Sequence, residues 1–150
     1  MLFIDSSTIE PSAAKTISEV VTAGDSHMVD APVSGGINGA AAGTLTFMVG
    51  GSTVAFEKAS PVLECMGKNI VHCGDACKTA YCSTYFFLNP QYFLCVAMGQ
   101  VAKLCNNVAL AIEMIGVSEA LTLGVKCGMD AKILSSIMNT STSQCWTTSK

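Results

Sequence analysis

With 150 residues, 15.6 kDa, 50% hydrophobic and 13% charged residues and a net charge of −3, the chain has the composition of a folded domain with a real core and not of a disordered tail. A domain of this length buries roughly 68–70% of its unfolded surface, whereas an enzyme with a separate cofactor domain usually needs about twice the chain, so any chemistry here fits one domain or pieces of two. All eight basic residues are lysines and none forms a run, which excludes nucleic acid as a partner class.

Eight cysteines raise the question of a disulfide scaffold, but such scaffolds are small and core-poor, and reduced thiols are expected. Cys65, Cys105 and Cys127 stand inside apolar helical patterns, where cysteine acts as a small hydrophobe. His72, Cys73, Cys77 and Cys82 are the nearest approach to a metal cluster. Their irregular spacing lacks the paired Cys-x-x-Cys of a zinc site, so no metal is expected. No apolar stretch reaches the ~20 residues of a membrane helix, so no membrane partner is expected and the chain reads as soluble.

Leu2-Phe3-Ile4 reads as a buried strand that delivers the polar loop Asp5-Ser6-Ser7-Thr8 at its carboxyl end. Pro11 opens a helix through Ile17, Val20 and Val21, closed by Gly24. Met28-Val29 is a second strand, leading to Asp30-Ala31-Pro32-Val33-Ser34-Gly35-Gly36. Small residues fill Ile37 to Gly43. Thr44 to Val49 then alternates as a strand before Gly50-Gly51. Ser52 caps a helix carrying Val54, Phe56, Leu63 and Met66, which Gly67 stops, and Asn69 to His72 is the last strand.

Residues 1–74 thus read β-α-β-loop-β-α-β, an α/β pattern that fits the closing, C-terminal half of a doubly wound, Rossmann-type dinucleotide-binding sheet. From Gly99 a helical period runs through Val101, Leu104, Cys105, Val108, Ile112, Ile115, Leu121 and Val125 to Gly128, long enough to span about 40 Å. Asp130 caps a further helix through Ile133, Leu134 and Ile137, which reads as the start of an all-α domain over residues 99–150.

Three motifs carry a family likeness. Asp30 to Gly36, with Gly39-Ala40 and Gly43 to Gly51, resembles the substrate-binding signature of the β-hydroxyacid dehydrogenases. Asp5 to Pro11 is similar to the cofactor-side loop of that family, and Gly99-Gln100-Val101-Ala102-Lys103-Leu104-Cys105-Asn106-Asn107 to its catalytic helix. The motifs occur in the family's order and cover nearly the whole chain apart from one segment.

The resemblance implies a nicotinamide cofactor, NAD, and a small 3-hydroxy acid substrate. Its implied reaction is the oxidation of 3-hydroxyisobutyrate to methylmalonate semialdehyde in valine breakdown. Tartronate or succinate semialdehyde chemistry in a sibling enzyme, or a non-catalytic chain that associates with complete subunits, are the alternatives. Lys103 would be the general acid/base, since losing a hydride from an alcohol needs a base for the hydroxyl proton and burial can lower a lysine's pKa toward neutrality. Asn107, four residues on and on the same helical face, would orient the amine. Ser34, Gly35 and Gly36 would bind the carboxylate through exposed N–H groups and a hydroxyl. Thr8 would touch the cofactor. The likeness further implies a homo-oligomer and mitochondrial placement, with no import leader in these residues.

The chain departs from the family in three places. It has no Gly-x-Gly-x-x-Gly loop for the pyrophosphate, so the amino-terminal half of the dinucleotide domain is expected to be missing. Gln144 stands where the family has arginine. Residues 75–98 read as an atypical insertion. Pyrimidine-rich codons would encode Cys77 to Val96, which points to a translated intron, the alternative being a genuine apolar insertion; aligning the transcript to genomic DNA decides between them.

Overall fold

A computed structural model describes residues 1–74 and 97–149. The insertion assigned to 75–98 lies almost wholly outside the described residues, as do Cys77 and Cys82. The described elements are β1 (Leu2–Asp5), α1 (Pro11–Thr22), β2 (His27–Asp30), β3 (Val33–Ser34), α2 (Gly36–Ala41), β4 (Leu45–Val49), α3 (Thr53–Leu63), β5 (Gly67–His72), α4 (Met98–Lys126) and α5 (Ala131–Thr140). The chain divides into two compact units, Met1–Leu104 and Cys105–Lys150, each described by itself.

The first unit is built from two β-α-β crossovers. β1 and β2 pair in parallel across α1, from Leu2 opposite His27 to Asp5 opposite Asp30. β4 and β5 pair in parallel across α3, from Leu45 opposite Gly67 to Val49 opposite His72. A Rossmann-type α/β architecture is thus present, with an antiparallel strand added.

That strand, β3, comes from Pro32. The amide of Ala31 still donates to the Asp5 carbonyl at 2.7 Å, but proline has no N–H to continue the ladder and holds its predecessor extended. The chain therefore leaves β1 and continues as Val33–Ser34, antiparallel to β4 at Phe47 and Thr46. An isolated antiparallel bridge between Asp30 and Gly50 joins the two sheets at this point.

The core lies between β2, β4 and α3: Val29, Ala31, Phe47, Val49, Ala55, Ala59 and Leu63 are buried. The face of α3 differs from the sequence expectation. Val54 and Met66 are exposed, and the buried stripe is Ala55, Ala59 and Leu63, whose i, i+4, i+8 spacing puts two small side chains and one leucine where the helix meets the sheet. In α1 likewise Ala14 and Ser18 are buried while Ile17 and Val20 are exposed. In β1, Phe3 is exposed and Leu2 and Ile4 are half-buried, so the strand is not buried on both faces.

Local signals set several ends as expected. Pro11 occupies the first turn of α1, and the Ser52 hydroxyl accepts the Ala55 amide at 3.3 Å at the start of α3. Gly67 is not the stop of α3 but the first residue of β5. A Cβ there would stand 2.6 Å from the Leu45 carbonyl and 2.8 Å from the Phe47 ring.

Within the second unit, Gly124 lets Leu134 of α5 pack directly onto the helix backbone, and the Asp130 carboxylate accepts the Lys132 and Ile133 amides at 2.8 and 3.1 Å. Met138 and Thr148 are buried there. α4, with 29 residues and four charged side chains, is by length and composition apolar enough to cross a membrane. This corrects the expectation that no stretch reaches that length: Asn106, Asn107, Glu113 and Glu119 interrupt the apolar letters but not the helix.

Candidate active site

The carboxyl ends of the strands meet the start of α4 at Asp30. This last residue of β2 is fully buried. Its Oδ1 accepts the Ala97 amide and its Oδ2 the Gln100 amide, both at 2.9 Å, while its backbone exchanges both hydrogen bonds with Gly50 at 2.8 and 3.1 Å. The carboxylate thereby serves amides of the first turn of α4, which have no partner within the helix, and complements the positive end of the helix dipole. Two glycines make room for it. A Cβ on Gly99 would lie 2.7 Å from Asp30 Oδ2 and against the Met48 carbonyl oxygen. A Cβ on Gly50 would lie 2.7 Å from the Gly99 nitrogen and against Asp30 Oδ1.

Burial raises the pKa of Asp30 above the ordinary 3.8, outweighing the backbone N–H groups that favour the charged form, with the Asp5 charge adding to the rise. Since the folded value exceeds the unfolded one, Asp30 contributes stability that is full below the ordinary carboxylate value and lost as pH rises through the raised one. Urea unfolding of the wild type and of Asp30→Asn should therefore show a stability difference that shrinks as pH rises through this window. A difference independent of pH would contradict the assignment.

Gln100 is 2% exposed and spans the next gap. Its side chain bonds to the loop after β1: Oε1 accepts the Ile9 amide at 3.2 Å, and Nε2 donates to the Ser7 carbonyl at 2.8 Å. Thr8 lies between these two anchors, exposed, and its hydroxyl makes no hydrogen bond among the described residues. The Asp5 side chain adds a turn by accepting the Ser7 amide at 3.0 Å.

Ser34 ends β3, half-buried, four residues beyond Asp30. Gly35 and Gly36 follow at φ +141° and +61°, and a Cβ on Gly35 would stand 2.9 Å from the Leu45 side chain, so this bend requires glycine. Gly36 opens α2, whose first-turn N–H groups have no partner within the helix. Lys103 lies on α4 three residues after Gln100, half-buried, with no hydrogen-bond or ion-pair partner for its ammonium among the described residues. Asn107 belongs to the second unit. It is exposed, and its Oδ1 accepts from the Asn106 side-chain Nδ2 at 3.5 Å.

Asp30 and Gln100 thus tie the Thr8 loop, the strand leading to Ser34 and the start of the Lys103 helix together within one unit. Sequence reasoning passed over both as site residues. The available signals were an acid ending an apolar strand and a glutamine flanked by glycine at a helix start, neither of which names its distant partner. His72 has a structural role: its ring stacks on Phe56 with centroids 4.5 Å apart, and its Nε2 lies 2.8 Å from the Gly51 carbonyl oxygen. Burial, then the Asp30 charge, raises the Cys73 thiol pKa, which keeps it a poor nucleophile.

Thr8 offers an unengaged hydroxyl on a loop held by Gln100 at the carboxyl end of a parallel strand, the edge where ligands of doubly wound sheets bind. The pyrophosphate has no glycine-rich loop within the 150 residues.

Residues 1–74 match the model for the NAD binding domain of 6-phosphogluconate dehydrogenase, and residues 97–150 that for the NAD-binding region of NADP-dependent 3-hydroxyisobutyrate dehydrogenase. The probable mitochondrial 3-hydroxyisobutyrate dehydrogenase of Dictyostelium discoideum is 53% identical over 97% of this chain and 39% of its own length. The human mitochondrial 3-hydroxyisobutyrate dehydrogenase is 43% identical over 97% of this chain and 37% of its own length. The structure of the Mycobacterium tuberculosis 3-hydroxyisobutyrate dehydrogenase with L-serine superposes with a TM-score of 0.78 at 39% identity, covering 97% of this chain and 43% of that one. The chain therefore spans about two fifths of the length of the relatives it matches. Two family regions in the expected order, residues 1–74 and 97–150, and a fold shared with a solved relative make this chain similar to the 3-hydroxyisobutyrate dehydrogenases over about two fifths of their length.

Proposed function

We propose that these residues form the substrate-facing part of an NAD-dependent dehydrogenase that oxidises 3-hydroxyisobutyrate to methylmalonate semialdehyde, in the mitochondrion by kinship with the named relatives. The observation that carries this reading is the convergence of the Thr8 loop, the Ser34 strand and the Lys103 helix on the buried pair Asp30 and Gln100.

The Ser34 hydroxyl and the N–H groups around Gly35 and Gly36 would grip the substrate carboxylate, which needs close approach to the main chain. The Lys103 amine, in its neutral form, would accept the hydroxyl proton as the alcohol carbon becomes a carbonyl. Asn107, one turn further along α4, would orient that amine, and Thr8 would contact the nicotinamide end of the cofactor. When bound, the nicotinamide supplies the hydride acceptor.

The 150 residues by themselves should bind NAD weakly and turn over no hydroxy acid, because they hold the nicotinamide end of the site without a glycine-rich cradle for the pyrophosphate. Isothermal titration and an NADH absorbance assay check this. Micromolar NAD affinity with saturable oxidation would contradict the expectation.

A second reading draws on α4, which exposes Leu104, Val108, Ile112, Ile115 and Leu123, a larger run of apolar side chains than an isolated helix in water normally keeps. In it the dehydrogenase is a homo-oligomer, and this chain associates with complete subunits without catalysing the reaction. Co-purification with the complete enzyme supports this second reading, and a chain that stays monomeric beside it speaks against it.

A further inference from the structure

We propose that Gln100 is a positioning residue: it holds the loop carrying Thr8 in a set position against the first turn of the helix carrying Lys103, so that the cofactor-facing and proton-accepting elements keep one geometry. The inference rests on the roles given above to Thr8 and Lys103, and extends them to a side chain that touches neither substrate nor cofactor.

Three features single Gln100 out. Its side chain is buried, and both ends of its amide are used, one on each side of Thr8: Oε1 takes the Ile9 N–H at 3.2 Å, and Nε2 gives a proton to the Ser7 carbonyl at 2.8 Å. The pair acts as a short piece of ladder for a loop segment that has left the β1 pairing. The main chain of Gln100 is fixed independently, because its own N–H is bound at 2.9 Å by Asp30, a carboxylate buried at the end of β2. Finally, Gln100 precedes Lys103 by three residues in one continuous helix, so a shift of the loop relative to α4 is a shift relative to the turn that bears the lysine.

The chemistry is specific to a primary amide of this length. Glutamate, equal in shape, has no donor for the Ser7 carbonyl when ionised and sets one carboxylate oxygen against it. Methionine fills the volume but leaves the Ile9 N–H and the Ser7 carbonyl without partners.

The experiment uses the full 150-residue chain as wild type, Gln100→Glu and Gln100→Met, with two NMR readouts: hydrogen exchange at the Ile9 amide, and the response of the Thr8 amide to millimolar NAD. The methionine variant should exchange Ile9 at least about fivefold faster than wild type while the Ala97 amide, bound to Asp30, keeps its protection, and in both variants NAD should perturb Thr8 less. The glutamate variant, which keeps an acceptor for Ile9 and loses only the donor to Ser7, provides the Thr8 readout if the methionine variant does not fold. Ile9 exchange equal to wild type in the folded methionine variant overturns the clasp. Faster Ile9 exchange with an unchanged Thr8 response overturns its link to the cofactor. If NAD leaves Thr8 of the wild type unmoved, the role given to Thr8 fails, and with it the link to the cofactor, while Ile9 exchange still decides the clasp.

Discussion

With Lys103 as the proposed general base, its replacement by alanine should lower kcat for hydroxy acid oxidation about 10²–10⁴-fold in a complete dehydrogenase carrying this segment, the range lost when a positioned general base is removed. That loss corresponds to about 3–5 kcal/mol of transition-state stabilisation. Because the ammonium is half-buried and has no hydrogen-bond or ion-pair partner among the described residues, the same change should alter stability by no more than about 0.5 kcal/mol. Steady-state kinetics beside a thermal melt separate the two effects. Lys103→Arg should not restore the rate, since a guanidinium stays protonated and cannot accept the hydroxyl proton. A Lys103→Ala enzyme within a few-fold of wild type would remove the lysine from the mechanism.

The second large effect is expected at Gly99. A methyl group there meets the Met48 carbonyl and stands 2.7 Å from Asp30 Oδ2 and 3.0 Å from the Asp30 carbonyl, two of these atoms being backbone that cannot swing aside. Gly99→Ala should therefore push α4 off its anchor, at a cost of about 3 kcal/mol, the upper end of ordinary overpacking. In a unit of this size that is roughly 10–20 °C in Tm. The control is Gly116 on the same helix, where a Cβ meets nothing within 4 Å. Gly116→Ala should be neutral or stabilising by up to about 1 kcal/mol, because it only adds helix propensity. Equal melting temperatures for the two variants would show that the Asp30 contact does not constrain Gly99.

Both predictions concern residues that differ in how visible they are in the amino-acid order. Lys103 sits in a stretch that resembles the catalytic helix of the β-hydroxyacid dehydrogenases, and its candidacy rests on that resemblance. The caps Ser52 and Asp130 and the opening Pro11 were equally visible, because each acts on amides within three residues of itself. The two-residue β3 and the six-residue α2 were not, since segments that short show no period and depend on Pro32 turning the chain and on β4 lying alongside.

The buried faces of α1 and α3 misled for a related reason. Apolar size argued for Ile17, Val20 and Val54, yet the helices approach the sheet through Ala14, Ser18, Ala55 and Ala59. Small side chains allow the close approach, and the larger ones are left at the rim.

The order of amino acids alone determined the two β-α-β units and the long helix after them, because each is a local pattern of hydropathy, capping or turn chemistry, while Thr8, Ser34, Gly35, Gly36, Lys103 and Asn107 stood out through the resemblance of their motifs to a family. Only the tertiary structure decided that Asp30 closes the start of α4 and that Gln100 grips the Thr8 loop. Those bonds join residues roughly 70 and 90 positions apart, and their donors and acceptors are committed only once packing has removed them from water.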